Sequence, residues 1–305
     1  MIGQARPNAT RLSILLPFAV VTLIWGSTWI VIRDQLHVVP ATWSVTYRFA
    51  LAGSAMCLVA LVRRDRFPRD RRGLGFAAFT GLMQFAGNFN LVYRAESHIT
   101  SGLVAVVFAL LLLPNALMGR VFLKQRLGAQ LLAGSAVAMT GVTLLIVNQA
   151  RADPAGPGEA LLGVGFAVAA LLCASVANVA QGSETAKRYP MIATVGLGML
   201  IAAAVDAVYA WTVAGPPVVE HRLGYVAGTA YLALAASALA FPLYYRVLRV
   251  IGPAKAAYSS VIVPVIAMSL STVFEGYRWS ALAGAGAVLA GVGLVIALSA
   301  RRPAR

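Results

Sequence analysis

Apolar residues along this chain gather into ten long runs. They fall at about 13–32, 41–62, 73–93, 99–119, 127–148, 160–181, 190–213, 223–245, 254–274 and 280–300. Each run is about 20 to 24 residues, enough at about 1.5 Å per residue to cross a hydrocarbon core of about 30 Å. Polar links between them are short, and a Gly/Pro-rich one, Asp153-Pro154-Ala155-Gly156-Pro157-Gly158, joins the fifth run to the sixth. The pattern predicts an all-α integral membrane protein of ten transmembrane helices.

The runs also repeat. Gly134, Gly141 and Pro114 reappear as Gly284, Gly291 and Pro264, all at an offset of 150 residues, and Gln125 falls opposite Glu275. Tyr93-Arg94 answers Tyr245-Arg246 at offset 152, Pro40 answers Pro190 at 150, and Ser27 answers Ser175 at 148. The predicted units are residues 1–150 and 151–305, with five helices each. Five is odd, so the second unit must enter the membrane from the opposite side. An inverted repeat of this kind places a site near the midplane, between the halves.

Composition agrees with burial in lipid. Sixty per cent of residues are hydrophobic and 11% charged, against about 25% charged in an average soluble domain. The net charge of +15 raises nucleic acid as a partner, but the basic residues sit in the short links, without interleaved aromatics or a basic stripe. Their distribution reads as topology instead. With the N-terminus in the cytoplasm, nineteen Lys/Arg fall inside and five outside (Arg33, Arg94, Arg151, Arg222 and Arg278). The positive-inside rule then puts both termini in the cytoplasm. The first run lacks a small-residue cleavage site and is expected to stay as a helix.

Chemistry-bearing residues are few. Cys57 and Cys173 lie within apolar runs and read as packing residues, and His37, His98 and His221 show no ligand spacing, so neither a metal site nor a cofactor is expected. The sequence has no Gly-Lys-Ser/Thr phosphate loop for an ATP-driven step. No catalytic pair of carboxylates and no Ser–His pair is recognisable. Polar groups inside spans are costly and face cavities or partner helices. Gln84 and Asn88 share one face of the third span, and Ser175 and Asn178 lie in the sixth. With Trp25 and Tyr258 as apolar walls, these six are the candidate substrate site. Arg48 and Asp206, the charges deepest in spans, are candidates for gating or for structural bonds. Pro114 and Pro264 each free a backbone carbonyl, and read as hinges or static bends. The fifth and tenth spans, rich in small residues, are expected to pack at the edge of the bundle and leave room for a homodimer.

Trp25-Gly26-Ser27-Thr28 in the first helix, and the Pro … Gln/Glu … Gly … Gly order closing each half, resemble the drug/metabolite transporter superfamily with two EamA domains. Within it the chain is similar to the YddG-type aromatic amino-acid exporters. The resemblance implies a multi-pass protein of the inner (plasma) membrane. It also implies export of small metabolites, amino acids first among them, through a cavity between the repeats. A membrane-embedded enzyme, or an exporter of nucleosides or drugs, are the alternatives. The family commonly carries Glu at both positions ending the fourth and ninth helices; here the first is Gln125.

Overall fold

The computed structural model describes residues 7–124, 128–152, 157–256 and 259–298, and every regular element among them is helical. The first half comprises α1 (Pro7–Gln35), α2 (Ala41–Val62), α3 (Arg71–Gly81), a π-helical turn (Leu82–Gly87), α4 (Asn88–His98), α5 (Ser101–Ala109), α6 (Leu112–Leu123) and α7 (Ala129–Ala152). The second comprises α8 (Pro157–Gln181), α9 (Glu184–Lys187), α10 (Met191–Ala214), α11 (Leu223–Ala230), a second π-helical turn (Tyr231–Leu239), α12 (Ala240–Ile251), α13 (Pro253–Ala256), α14 (Ser259–Phe274) and α15 (Ala281–Leu298).

Among the described residues, seven helical segments are long and apolar enough to cross a membrane by length and composition, against the ten read from the runs. The third run continues to His98 and takes in Arg94 and Glu96, which lower its apolarity. The ninth and tenth runs lie only in part among the described residues, with α14 and α15 covering Ser259–Phe274 and Ala281–Leu298. Outward-facing side chains are apolar all round the bundle, as at Leu23, Leu58, Leu161, Val208, Val226 and Val288. A surface of that kind suits lipid and not water.

Helices pair in a pattern that survives exchanging the halves. α2 packs on α10, α5 on α14 and α7 on α15, each helix meeting its counterpart, while α4 against α8 is answered by α12 against α1. Small residues set the closest approaches. A Cβ on Gly134 would lie 2.2 Å from the Ala297 nitrogen, and one on Gly141 2.2 Å from that of Ala290. Backbones in contact make the most of dispersion, the main attraction between helices in lipid. The contacts also correct the repeat register. Gly284 and Gly291, the partners at offset 150, face open space, whereas Gly286 and Gly293 meet α7. The spatial offset there is 152. These glycine faces are turned toward each other inside one chain, so a dimer through this pair would have to use the helices' outer sides.

Cys57 and Cys173 are both free thiols, half-buried among helices.

Candidate functional site

The two π-helical turns occupy corresponding helices, and polar residues of the site bond to both. A π turn inserts a residue and takes backbone groups off the regular ladder. In the second turn side chains use what is released. Trp25 Nε1 donates to the Ala236 carbonyl at 3.1 Å. Ser237 Oγ donates to the Leu232 carbonyl, five residues back, at 2.8 Å. With its proton committed, that hydroxyl accepts from Arg48 Nε at 3.0 Å. The first turn carries Gln84, and Asn88 follows it at once, its Nδ2 donating to the Gln84 carbonyl at 3.3 Å.

A cavity of about 100 Å³ is lined by Gln84 of the first turn and by Trp25 and Arg48, which bond to the second. Arg48, Gln84, Asn88 and Asn178 supply its polar groups. Aromatic rings supply the walls. Trp25 packs against Phe241 and Tyr244 at centroid distances of 5.2 and 4.9 Å, and Trp29 packs against Phe108 at 5.4 Å. Tilted pairs of this kind contribute about 0.5–1.5 kcal/mol beyond area burial and hold the rings in place. The polar groups are incompletely used. Arg48 Nη1, Gln84 Oε1, Asn88 Oδ1, Trp29 Nε1 and Tyr244 OH are buried without hydrogen-bond partners. Leaving such a group unpaired costs about 1–3 kcal/mol, so a solute offering matching donors and acceptors recovers that cost as it binds.

Of the expected substrate residues, Trp25, Gln84, Asn88 and Asn178 line this cavity. Tyr258 lies outside the described residues. Ser175 is buried but is not part of the wall; its hydroxyl faces Met118 Sδ at 3.5 Å. On α8 the wall is formed by Ala174 and Asn178, four residues apart, and Ser175 is turned about 100° away toward α6. The gating candidates separate. Arg48 is on the cavity wall. Asp206 is off it, its Oδ1 accepting from Asn90 Nδ2 at 2.8 Å. Pro114 follows the break between α5 and α6, where Leu113 N reaches the Leu110 carbonyl in a tightened turn at 2.9 Å. Phe108 and Leu111 flank that break and both reach the cavity. Pro264 lies inside α14. Beyond the expected residues, an aromatic set of Trp29, Phe89, Phe108, Phe241 and Tyr244 completes the wall. Its sequence signal is aromatic spacing of three or four within runs, Trp25–Trp29 and Phe241–Tyr244.

A model of the EamA-like transporter family matches residues 12–147 and 161–299. The chain belongs to the EamA-like transporter family. It is a membrane transporter and not an enzyme, as its relatives also indicate. It is 30% identical over 260 residues to the uncharacterized inner membrane transporter YedA of Escherichia coli strain K12, covering 83% of this chain and 80% of that one. A probable amino-acid metabolite efflux pump of the same strain is 26% identical over 289 residues, covering 90% and 91%. Protein PagO of Salmonella typhimurium is 23% identical, with 88% of each chain covered. A solved crystal structure is similar over 94% of this chain and 97% of its own, with a TM-score of 0.67 at 21% identity, which speaks for the fold alone. The match also bears out the likeness to the drug/metabolite transporter superfamily read from the sequence.

Proposed function

We propose that this EamA-like protein is a secondary exporter of small amphipathic metabolites, amino acids with apolar or aromatic side chains first among them. The observation that carries the reading is the cavity itself. It sets unpartnered donors and acceptors beside a wall of aromatic rings, and an amino acid needs both. The E. coli relative named as a probable amino-acid metabolite efflux pump points the same way.

In this reading the segments from Arg71 to His98, α14 and α15 cross the membrane with the other seven. Units 1–150 and 151–305 are then related by an axis in the membrane plane. Counterpart helices run antiparallel where they meet: Gly134 faces Ala297 while Gly141 faces Ala290. An axis along the membrane normal would make such pairs parallel. The lysine and arginine distribution supports cytoplasmic termini, and the YedA relative's name supports the inner membrane. Rocking of one repeat against the other around the cavity then exposes it to each side in turn.

Purified protein in liposomes tests this. Counterflow of L-leucine or L-phenylalanine above that of empty liposomes is expected, with weaker flux of nucleosides. Counterflow restricted to nucleosides would replace the amino-acid reading with the alternative.

A further inference from the structure

Arg48 brings a guanidinium into the cavity wall with only 1% of the residue exposed. Its Cζ sits 4.2 Å from the Phe89 ring centroid and 5.2 Å from that of Phe49. Nε is tied to Ser237, whose hydroxyl proton is already committed to the Leu232 carbonyl. Stacked on one face and held at one edge, the group has a fixed orientation. Nη1 has no partner, and among the described residues no carboxylate pairs with this arginine within 4.0 Å. Tyr93 and the buried Glu96 carboxylate lie near enough to act on the charge, but neither bonds Nη1. A buried charge without a bonded counter-ion is costly, and ring faces offset only part of that. What fits an oriented, desolvated guanidinium is a planar anion that accepts two parallel hydrogen bonds, a carboxylate.

We propose that Arg48 is the docking point for the carboxylate of the transported solute, which makes the substrate class a monocarboxylate with an apolar or aromatic body. The inference rests on the transporter reading above. The remaining groups place the rest of such a solute. Asn88 Nδ2 is committed to the Gln84 carbonyl, which leaves Asn88 Oδ1, with Gln84 Oε1, as acceptors for an ammonium or hydroxyl. Trp25, Trp29 and Phe241 offer ring faces to its apolar part. Amino acids satisfy all three requirements, simple aryl-alkanoates two.

The test is a tryptophan-fluorescence titration of the purified full-length protein, since Trp25 and Trp29 line the cavity. The probes are L-phenylalanine, 3-phenylpropionate, L-phenylalaninamide and phenethylamine. Both carboxylates should saturate, and the amide and the amine should bind at least about tenfold more weakly, as expected for loss of charge-assisted bonds. Arg48→Gln should abolish the preference and Arg48→Lys should restore part of it. Equal binding of acid and amide, no saturation by either carboxylate, or unchanged carboxylate binding in Arg48→Gln would each overturn the proposal. The comparison of acid with amide uses the unaltered protein, so it decides the matter even if the variants fold poorly. Carboxylate-selective binding by a protein that moves nothing across liposomes would keep the site and overturn the transport reading. Transport with no carboxylate preference would do the reverse.

Discussion

Asn88 joins local structure to function through two atoms of one amide. Its Nδ2 secures the exit from the first π-helical turn, and its Oδ1 stays unpartnered beside the cavity. Asn88→Ala should therefore raise the half-saturating concentration of the transported solute about two- to tenfold, the worth of one neutral hydrogen bond. Ser175→Ala, off the wall, should leave it unchanged; equal effects of the two would detach the cavity from transport. Asp206 is bonded to Asn90 and is not part of the cavity wall. Asp206→Asn should retain transport down a gradient, and its complete loss with normal expression would make that carboxyl part of the mechanism. Single residues were legible where spacing alone decided the matter. Gln84 and Asn88, four apart, share a face, whereas Ser175 lies off the wall because a shift of one residue turns a helix position by about 100°. Arg48 was visible as a buried charge, but its partner Ser237 is 189 positions away and no local pattern announces it.

Elements show the same division. Small-residue content marked α7 and α15 as packing helices but did not pair them with each other, and identities at offset 150 selected Gly284 where the backbone contact uses Gly286. Gly141→Leu should lower the melting temperature, since even its Cβ collides with the Ala290 nitrogen and overpacking typically costs about 1–3 kcal/mol. Gly284→Ala should leave melting unchanged, and a reversed order would refute the 152-residue register. The π-helical turns left no mark in the hydrophobic pattern, because one extra residue barely disturbs an apolar run. On the links, Tyr189 OH donates to Asp70 Oδ2 at 2.7 Å and Gly73 N caps onto the same oxygen at 3.1 Å. The tyrosine hydroxyl, before all else, holds the Asp70 carboxyl below the usual carboxylate range. A depressed carboxyl adds stability above its unfolded value, near 3.9, and loses it as pH falls through the folded one. Tyr189→Phe should therefore move the acid side of the melting curve to higher pH, whereas superimposable curves would show that this contact adds nothing.

For the whole molecule, the antiparallel contact of α7 with α15 supports the proposed inversion of the repeats, and the charge asymmetry between links supports the proposed cytoplasmic termini. With Cys57 and Cys173 replaced by serine, cysteines placed at residues 65 and 303 should react with an impermeant reagent only from the cytoplasm, and one at 155 only from outside. Labelling of 155 and 303 from one side would break both the inversion and the ten-span reading. In the proposed mechanism solute passes through the cavity lined by Trp25, Arg48, Gln84 and Asn88. The direct measurement is made on Thr28→Cys in the same background, because Thr28 lines the cavity. Reaction of this thiol with a small methanethiosulfonate should block counterflow in liposomes, and excess L-phenylalanine should slow the block. Full counterflow after complete modification, or a block that the amino acid does not slow, would contradict it.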